Sequence, residues 1–206
     1  MDIIISLVAL IIGITLHEFA HALMADYLGD STARINGRIS LNPMDHIDPF
    51  TTLALPIMLI LLHSPVVFAA AKPVPFNPWA VRGGKWGAVM VALAGPFTNL
   101  LLAVFLSIWL RLIPYNAMAW KILGPMILIN ISLFVFNMIP FPPLDGSRLL
   151  YAIVPAPVRD VMDRIEQGGM MILFLVLFIG YPLISPYLGI VTAAIANLLL
   201  PALQLP

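Results

Sequence analysis

The chain has no cysteine, little charge and no extended polar stretch. Without cysteine it can form neither a disulfide framework nor a thiolate metal site, so any tightly held metal must rest on histidine and carboxylate. Asp, Glu, Lys and Arg together supply only 10% of 206 residues, the formal net charge is zero, and the basic residues form no long run. That removes the electrostatic footprint of a nucleic-acid-binding protein, and no nucleic-acid partner is expected. The N-terminus lacks the basic region and small-residue cleavage site of a signal peptide, so the first apolar stretch is expected to be retained as a membrane helix. With no long polar segment, residues 1–206 read as a single integral membrane domain without an attached ligand-binding module.

What is present is overwhelmingly apolar. Hydrophobic residues make up 61% of the chain and the mean hydropathy is +1.02, so lipid is the solvent for most of it. The pattern predicts an all-α polytopic membrane protein with about five transmembrane helices, one re-entrant segment and a small β-hairpin. A first helix over 3–25 stops near Gly29. Around Asn36-Gly37, the stretch 34–41 carries apolar residues on both sides, which is a hairpin signal. The apolar stretch 51–71 is interrupted by His63-Ser64-Pro65, a turn that leaves a helix too short to cross, and is read as re-entrant. The proline-punctuated stretch 71–78 reads as extended. A span over 86–110 carries Gly87, Ala88, Ala92 and Gly95 for close packing and Asn99, which needs a polar partner or contacts substrate. A span over 122–139 runs into Pro140, Pro142 and Pro143, which must break it just before Asp145. The C-terminal helices, within 168–204, are two apolar stretches separated by Pro182 and Pro186.

The chemistry starts at His17-Glu18-Phe19-Ala20-His21. Histidines four residues apart share one helical face, where both reach one zinc ion while Glu18 stands beside them as general base. A catalytic zinc usually takes a third protein ligand. The candidates are Asp145, His46, Asp48 and Glu166, and Asp145 is favoured because a proline-broken membrane helix delivers it. His46 and Asp48 otherwise read as loop-ordering residues.

His-Glu-Phe-Ala-His in a membrane helix, Ala94-Gly95-Pro96 with Asn99 in a later one, and Asn137 with Pro140 ahead of Leu144-Asp145-Gly146 together resemble the site-2 protease family of intramembrane zinc metalloproteases. These core motifs lie within 3–150. Gly37-Arg38, Leu41-Asn42-Pro43, His46-Ile47-Asp48-Pro49 and Ala71-Lys72-Pro73-Val74-Pro75 resemble its compact prokaryotic branch, which lacks PDZ and CBS domains. The resemblance implies zinc on His17, His21 and Asp145, water activation by Glu18, and steadying of the scissile carbonyl or its oxyanion by Asn137. The chain departs from some relatives in having no helix ahead of the His-Glu helix, so their gating scheme is not carried over. The implied activity is hydrolysis of peptide bonds in or near transmembrane segments of membrane proteins, that is, regulated intramembrane proteolysis. The substrate must unwind first, and the hairpin edge with Ile39 or the extended loop with Lys72 is expected to hold the unwound strand. Rival readings are a zinc-bearing scaffold or chaperone, which has no use for Glu18, and a metal or proton transporter, for which no inverted repeat is visible.

Charge gives a topology. If the first helix ends at the cytoplasm and 51–71 is re-entrant, Arg34, Arg38, Lys72, Arg82, Lys85, Arg148, Arg159 and Arg164 are cytoplasmic and only Arg111 and Lys121 are not. A crossing at 51–71 would erase that bias and separate Asp145 from His21. The expectation is therefore a multi-pass cell-membrane protein with its active site near the cytoplasmic face. Its partners are the bilayer and a transmembrane substrate, and its oligomeric state is not legible.

Overall fold

The computed structural model describes residues 3–61 and 71–200. The α-helices among the described residues come in the order α1 (Ile3–Tyr27), α2 (Thr32–Ile35), α3 (Leu55–Leu61), α4 (Gly84–Leu112), α5 (Ala117–Asn137), α6 (Gly146–Ile153), α7 (Ala156–Gln167) and α8 (Gly169–Leu199), joined by turns and an extended stretch over 71–77. Among them, four segments are long and apolar enough to cross a membrane: α1, α4, α5 and the Pro182–Leu199 part of α8.

Helix α1 runs two residues past its expected end before Gly29 closes it at φ 107°. There the Asp30 N–H donates to the Ala25 carbonyl at 2.9 Å and the Gly29 N–H to the Asp26 carbonyl at 3.0 Å, a left-handed cap that satisfies the orphan carbonyls. Helix α4 packs against α1 and α5 along Gly87, Val91, Gly95, Asn99, Ala103 and Ser107, all buried and four residues apart. Small side chains on one helical stripe bring backbones close, which is how helices associate where lipid removes the hydrophobic drive. Asn116 opens α5 by accepting from Met118 N–H at 2.9 Å and Ala119 N–H at 3.1 Å. A core of Ala103, Leu110, Ile127, Ile131, Val135 and Ala196 joins α4, α5 and α8. At the end of α8, Arg111 donates to the Leu198 and Leu199 carbonyls, placing a cation at the negative end of the helix dipole.

Three expectations are corrected. The stretch 34–41 forms no hairpin. Instead α2 makes a single turn, and Asn36-Gly37 caps it: Gly37 takes φ 65°, its N–H donates to the Arg34 carbonyl and the Arg38 N–H to the Ala33 carbonyl. A type I′ hairpin turn needs positive φ at both central residues, and Asn36 sits at φ −85°. The two C-terminal stretches form one continuous helix of 31 residues with Pro182 and Pro186 inside it, one turn apart. The apolar spans among the described residues thus number four rather than five. His63-Ser64-Pro65 and the middle of 51–71 lie outside the described residues.

The two ends of that last stretch meet. Asp48 caps a wide helical turn, Pro49–Ala54, by accepting from Phe50 and Thr51 N–H groups, and α3 follows. On the far side of 62–70, the Lys72 N–H donates to the His46 carbonyl at 2.9 Å.

Candidate metal centre

His17 and His21 lie on the face of α1 turned to α4. His17 Nδ1 is 2.7 Å from Asn99 Oδ1, and His21 Nδ1 is 2.8 Å from the Val91 carbonyl oxygen. A carbonyl oxygen only accepts, so each imidazole carries a proton on Nδ1, and in the neutral ring Nε2 is then the lone pair available to a metal. Those two Nε2 atoms stand 3.0 Å apart. Asp145, delivered by the proline-broken segment after α5, sets Oδ2 at 3.2 Å from His17 Nε2 and 3.4 Å from His21 Nε2. Three atoms that can each ligate a cation thus converge, and their mutual repulsion is relieved by a positive charge placed among them. Ligands about 2.0 Å from a tetrahedral zinc are about 3.3 Å apart, and two imidazoles with one carboxylate are a known zinc donor set that leaves a fourth position open.

Gly95 provides the space. A Cβ there would lie 2.4 Å from His21 Nε2 and 2.7 Å from His17 Nε2, so this face of α4 must be bare for the histidines to reach their common point. Gly146 makes a second close approach: its Cβ would meet the Met138 carbonyl oxygen at 2.4 Å, so only glycine lets α6 start against the turn that ends α5 and hold Asp145 beside α1.

The three side chains open into a cavity of about 460 Å³, also lined by Glu18, Asn137, Arg148 and Glu166. Glu18 is half-buried and stands outside the three-atom cluster. Asn137 donates one amide proton to the Leu133 carbonyl at 3.0 Å, leaving its second for the cavity. Of the other third-ligand candidates, Glu166 is paired with Arg148, Asp48 caps its turn, and His46 is fully buried with Nε2 2.7 Å from the Ser40 carbonyl.

Three expected substrate contacts are not brought to the cavity. Asn99 is fully buried and its amide is consumed by His17, the Gly13 carbonyl and Asn130. Ile39 has lost the hairpin that was to present it and is not on the cavity wall. Lys72 spends its N–H on His46 and accepts at its carbonyl from Arg38 Nη2, which leaves its neighbours Ala71, Pro73 and Val74 as the wall. Sequence reasoning read Gly95 only as a packing residue. Its signal was available in part, since it stands one turn before Asn99 on the same stripe.

Asp30 fixes this wall to α1. Its carboxylate accepts from Thr32 N–H at 3.0 Å and Asn77 N–H at 2.7 Å, and from the Thr32 hydroxyl. Burial pushes the Asp30 carboxyl up, but these three donors outweigh it and hold the group below the usual carboxylate range.

Apolar helices of membrane-spanning length around two histidines and one carboxylate define a helical membrane protein with a donor set that could hold a metal ion. The family model for peptidase family M50 matches residues 113–180. YwhC of Bacillus subtilis, named as a candidate zinc metalloprotease, is 39% identical over 183 residues, covering 84% of this chain and 78% of that one. Rip2 of Mycobacterium tuberculosis, named likewise, is 30% identical over 183 residues, covering 88% of this chain and 69% of its own. The zinc metalloprotease MJ0392 of Methanocaldococcus jannaschii is 33% identical over 70 residues, 34% of this chain and 21% of that one. No solved structure matches the chain. The chain belongs to peptidase family M50, the site-2 protease family.

Proposed function

We propose that this protein is an intramembrane zinc metalloprotease that hydrolyses peptide bonds in or near the transmembrane segments of membrane proteins, with zinc held by His17, His21 and Asp145. The observation that carries this reading is the convergence of two Nε2 lone pairs and one carboxylate oxygen in a cavity that also contains Glu18. Zinc held there would supply Lewis acidity and make water a stronger acid, toward a pKa of about 7. Glu18 is the carboxylate on the cavity wall that takes a proton from water and returns it to the leaving amine. Asn137 directs its free amide proton at the carbonyl oxygen. The extended wall formed by Ala71, Pro73 and Val74 lies along the unwound substrate strand, which must leave its helix because helical carbonyls are already bonded. A scaffold or transporter has no use for a carboxylate placed as Glu18 is.

We place the centre near the cytoplasmic face of a multi-pass protein, with His46 and Lys72 on the same side of the membrane. The bond between those two residues supports this, since bonded groups lie on one side.

Glu18→Gln keeps the side chain's shape and removes its basicity. Zinc content should stay at the level of the parent while cleavage of a membrane-tethered reporter falls by about 10²-fold or more. Parent-like turnover in that variant would remove Glu18 from the reaction.

A further inference from the structure

We propose that Asn130, in the middle of α5 and away from the cavity wall, is a positioning residue that fixes how His17 presents its lone pair to the metal. The proposal rests on the zinc reading of the centre.

Asn130 Nδ2 donates to the Met126 carbonyl one turn back at 2.8 Å, which turns Oδ1 toward α4. There Oδ1 accepts from Asn99 Nδ2 at 2.8 Å. The second proton of Asn99 Nδ2 goes to the Gly13 carbonyl at 3.0 Å. With both amide protons spent, the atom 2.7 Å from His17 Nδ1 must be Asn99 Oδ1. An oxygen there demands a proton on Nδ1, and Nε2 is left bare for the cation. Reversing either amide would set N–H against N–H or oxygen against oxygen, so the chain from α5 to α1 has one self-consistent direction.

Both asparagines are completely buried, and so is the contact between them. Gly13 brings α1 up to this point: a Cβ on it would lie 3.0 Å from Asn130 Oδ1 and 2.9 Å from Leu133 Cδ1. An Asn–Asn pair serving only to join α4 and α5 would account for one of these bonds and not for their common direction. The other imidazole provides a contrast. His21 is oriented by the backbone carbonyl of Val91, which substitution does not remove, so only His17 is oriented through side chains.

Asn130→Asp preserves the relay, because a carboxylic acid buried here stays neutral, its C=O accepting from Asn99 and its O–H donating to Met126. Asn130→Leu keeps the volume and deletes the acceptor. The test is zinc affinity of the detergent-purified full chain against a fluorescent chelator, together with the visible spectrum of the Co²⁺-substituted protein and a melting curve. Asn130→Leu is expected to bind zinc about 10- to 100-fold more weakly and to shift the Co²⁺ bands, while Asn130→Asp stays within about threefold of the parent. Where Asn130→Leu does not fold, Asn130→Ala, which withdraws the acceptor without adding bulk, is expected to show the same loss. An acceptor-less variant with parent-like zinc affinity overturns the role of Asn130. Equal losses in the Asp and Leu variants also overturn it, since they mark a role in packing alone. A parent that binds no zinc overturns the metal reading and this proposal with it.

Discussion

At the scale of single residues, the centre depends as much on what is missing from position 95 as on its ligands. His17 and His21 meet Asp145 over a glycine, and any Cβ there falls within 2.4 Å of His21 Nε2. Gly95→Ala should leave α4 intact, since alanine favours helix more than glycine does by about 0.8–1.0 kcal/mol, yet displace at least one imidazole. Zinc bound per protein should fall by about tenfold or more, on the scale of losing a ligand's support, while thermal stability stays near that of the metal-free parent. Full zinc occupancy in Gly95→Ala would show that the histidines meet their cation elsewhere. The same residues show what was readable in advance. The two histidines and Glu18 announce themselves by spacing, and Asp145 by its proline break. The roles of Gly95 and Asn99 depend on which face of α4 meets α1: the small-residue stripe marks that face, but nothing within α4 says that it meets the histidines.

At the scale of elements, two glycine caps of one type were read in opposite ways. Gly29 ends a helix long enough to be recognised, so its stop was legible. Gly37 ends a four-residue turn, too short to show a helical period, and Asn-Gly between apolar residues then resembles a hairpin. The pieces joined by these caps are held together by Asp30, whose carboxylate ties the entry of α2 to the extended wall at Asn77. Because its pKa is lowered in the folded state, Asp30 contributes stability that is complete above the unfolded value of about 3.9 and fades as pH falls through the depressed folded value. Asp30→Asn puts an amide against the Asn77 N–H and should cost about 2 kcal/mol at neutral pH, in the range of hydrogen bonds to a charged group. The gap in melting temperature between parent and variant should be constant from pH 7 down to about 5 and narrow below about 4. A gap that widens on acidification would reverse the sign argued here.

At the scale of the whole molecule, the helices sort the charges. Arg111 sits against the end of α8 and Lys121 lies in the second turn of α5, at the end of the bundle opposite the metal centre. The other eight basic residues flank the ends of α1 and α4 nearest that centre or lie on Lys72, α6 and α7. By the positive-inside rule this distribution supports the proposed orientation, with the centre toward the cytoplasm. His21 and His17 precede Tyr27 by six and ten residues, so at about 1.5 Å per residue they lie about 9 and 15 Å inside the end of α1. A substrate must bring its scissile bond to that depth. Because the chain has no cysteine, one introduced thiol is an unambiguous probe. Lys85→Cys should be labelled by an impermeant reagent only from the cytoplasmic side, and Tyr115→Cys, at a position 74% exposed between α4 and α5, only from outside. The opposite pattern would invert the molecule. Which helices run uninterrupted was not legible: Pro182 and Pro186 suggested a break, and α8 runs through both.

The account stands on zinc at His17, His21 and Asp145, and anomalous diffraction at the zinc edge from crystals of the purified protein tests it most directly. The prediction is a single strong peak on the cavity wall beside Gly95, about 2.0 Å from both Nε2 atoms and one Asp145 oxygen. A zinc-loaded crystal with no peak there, or with its peak bounded by Glu166 or His46 instead, would contradict it.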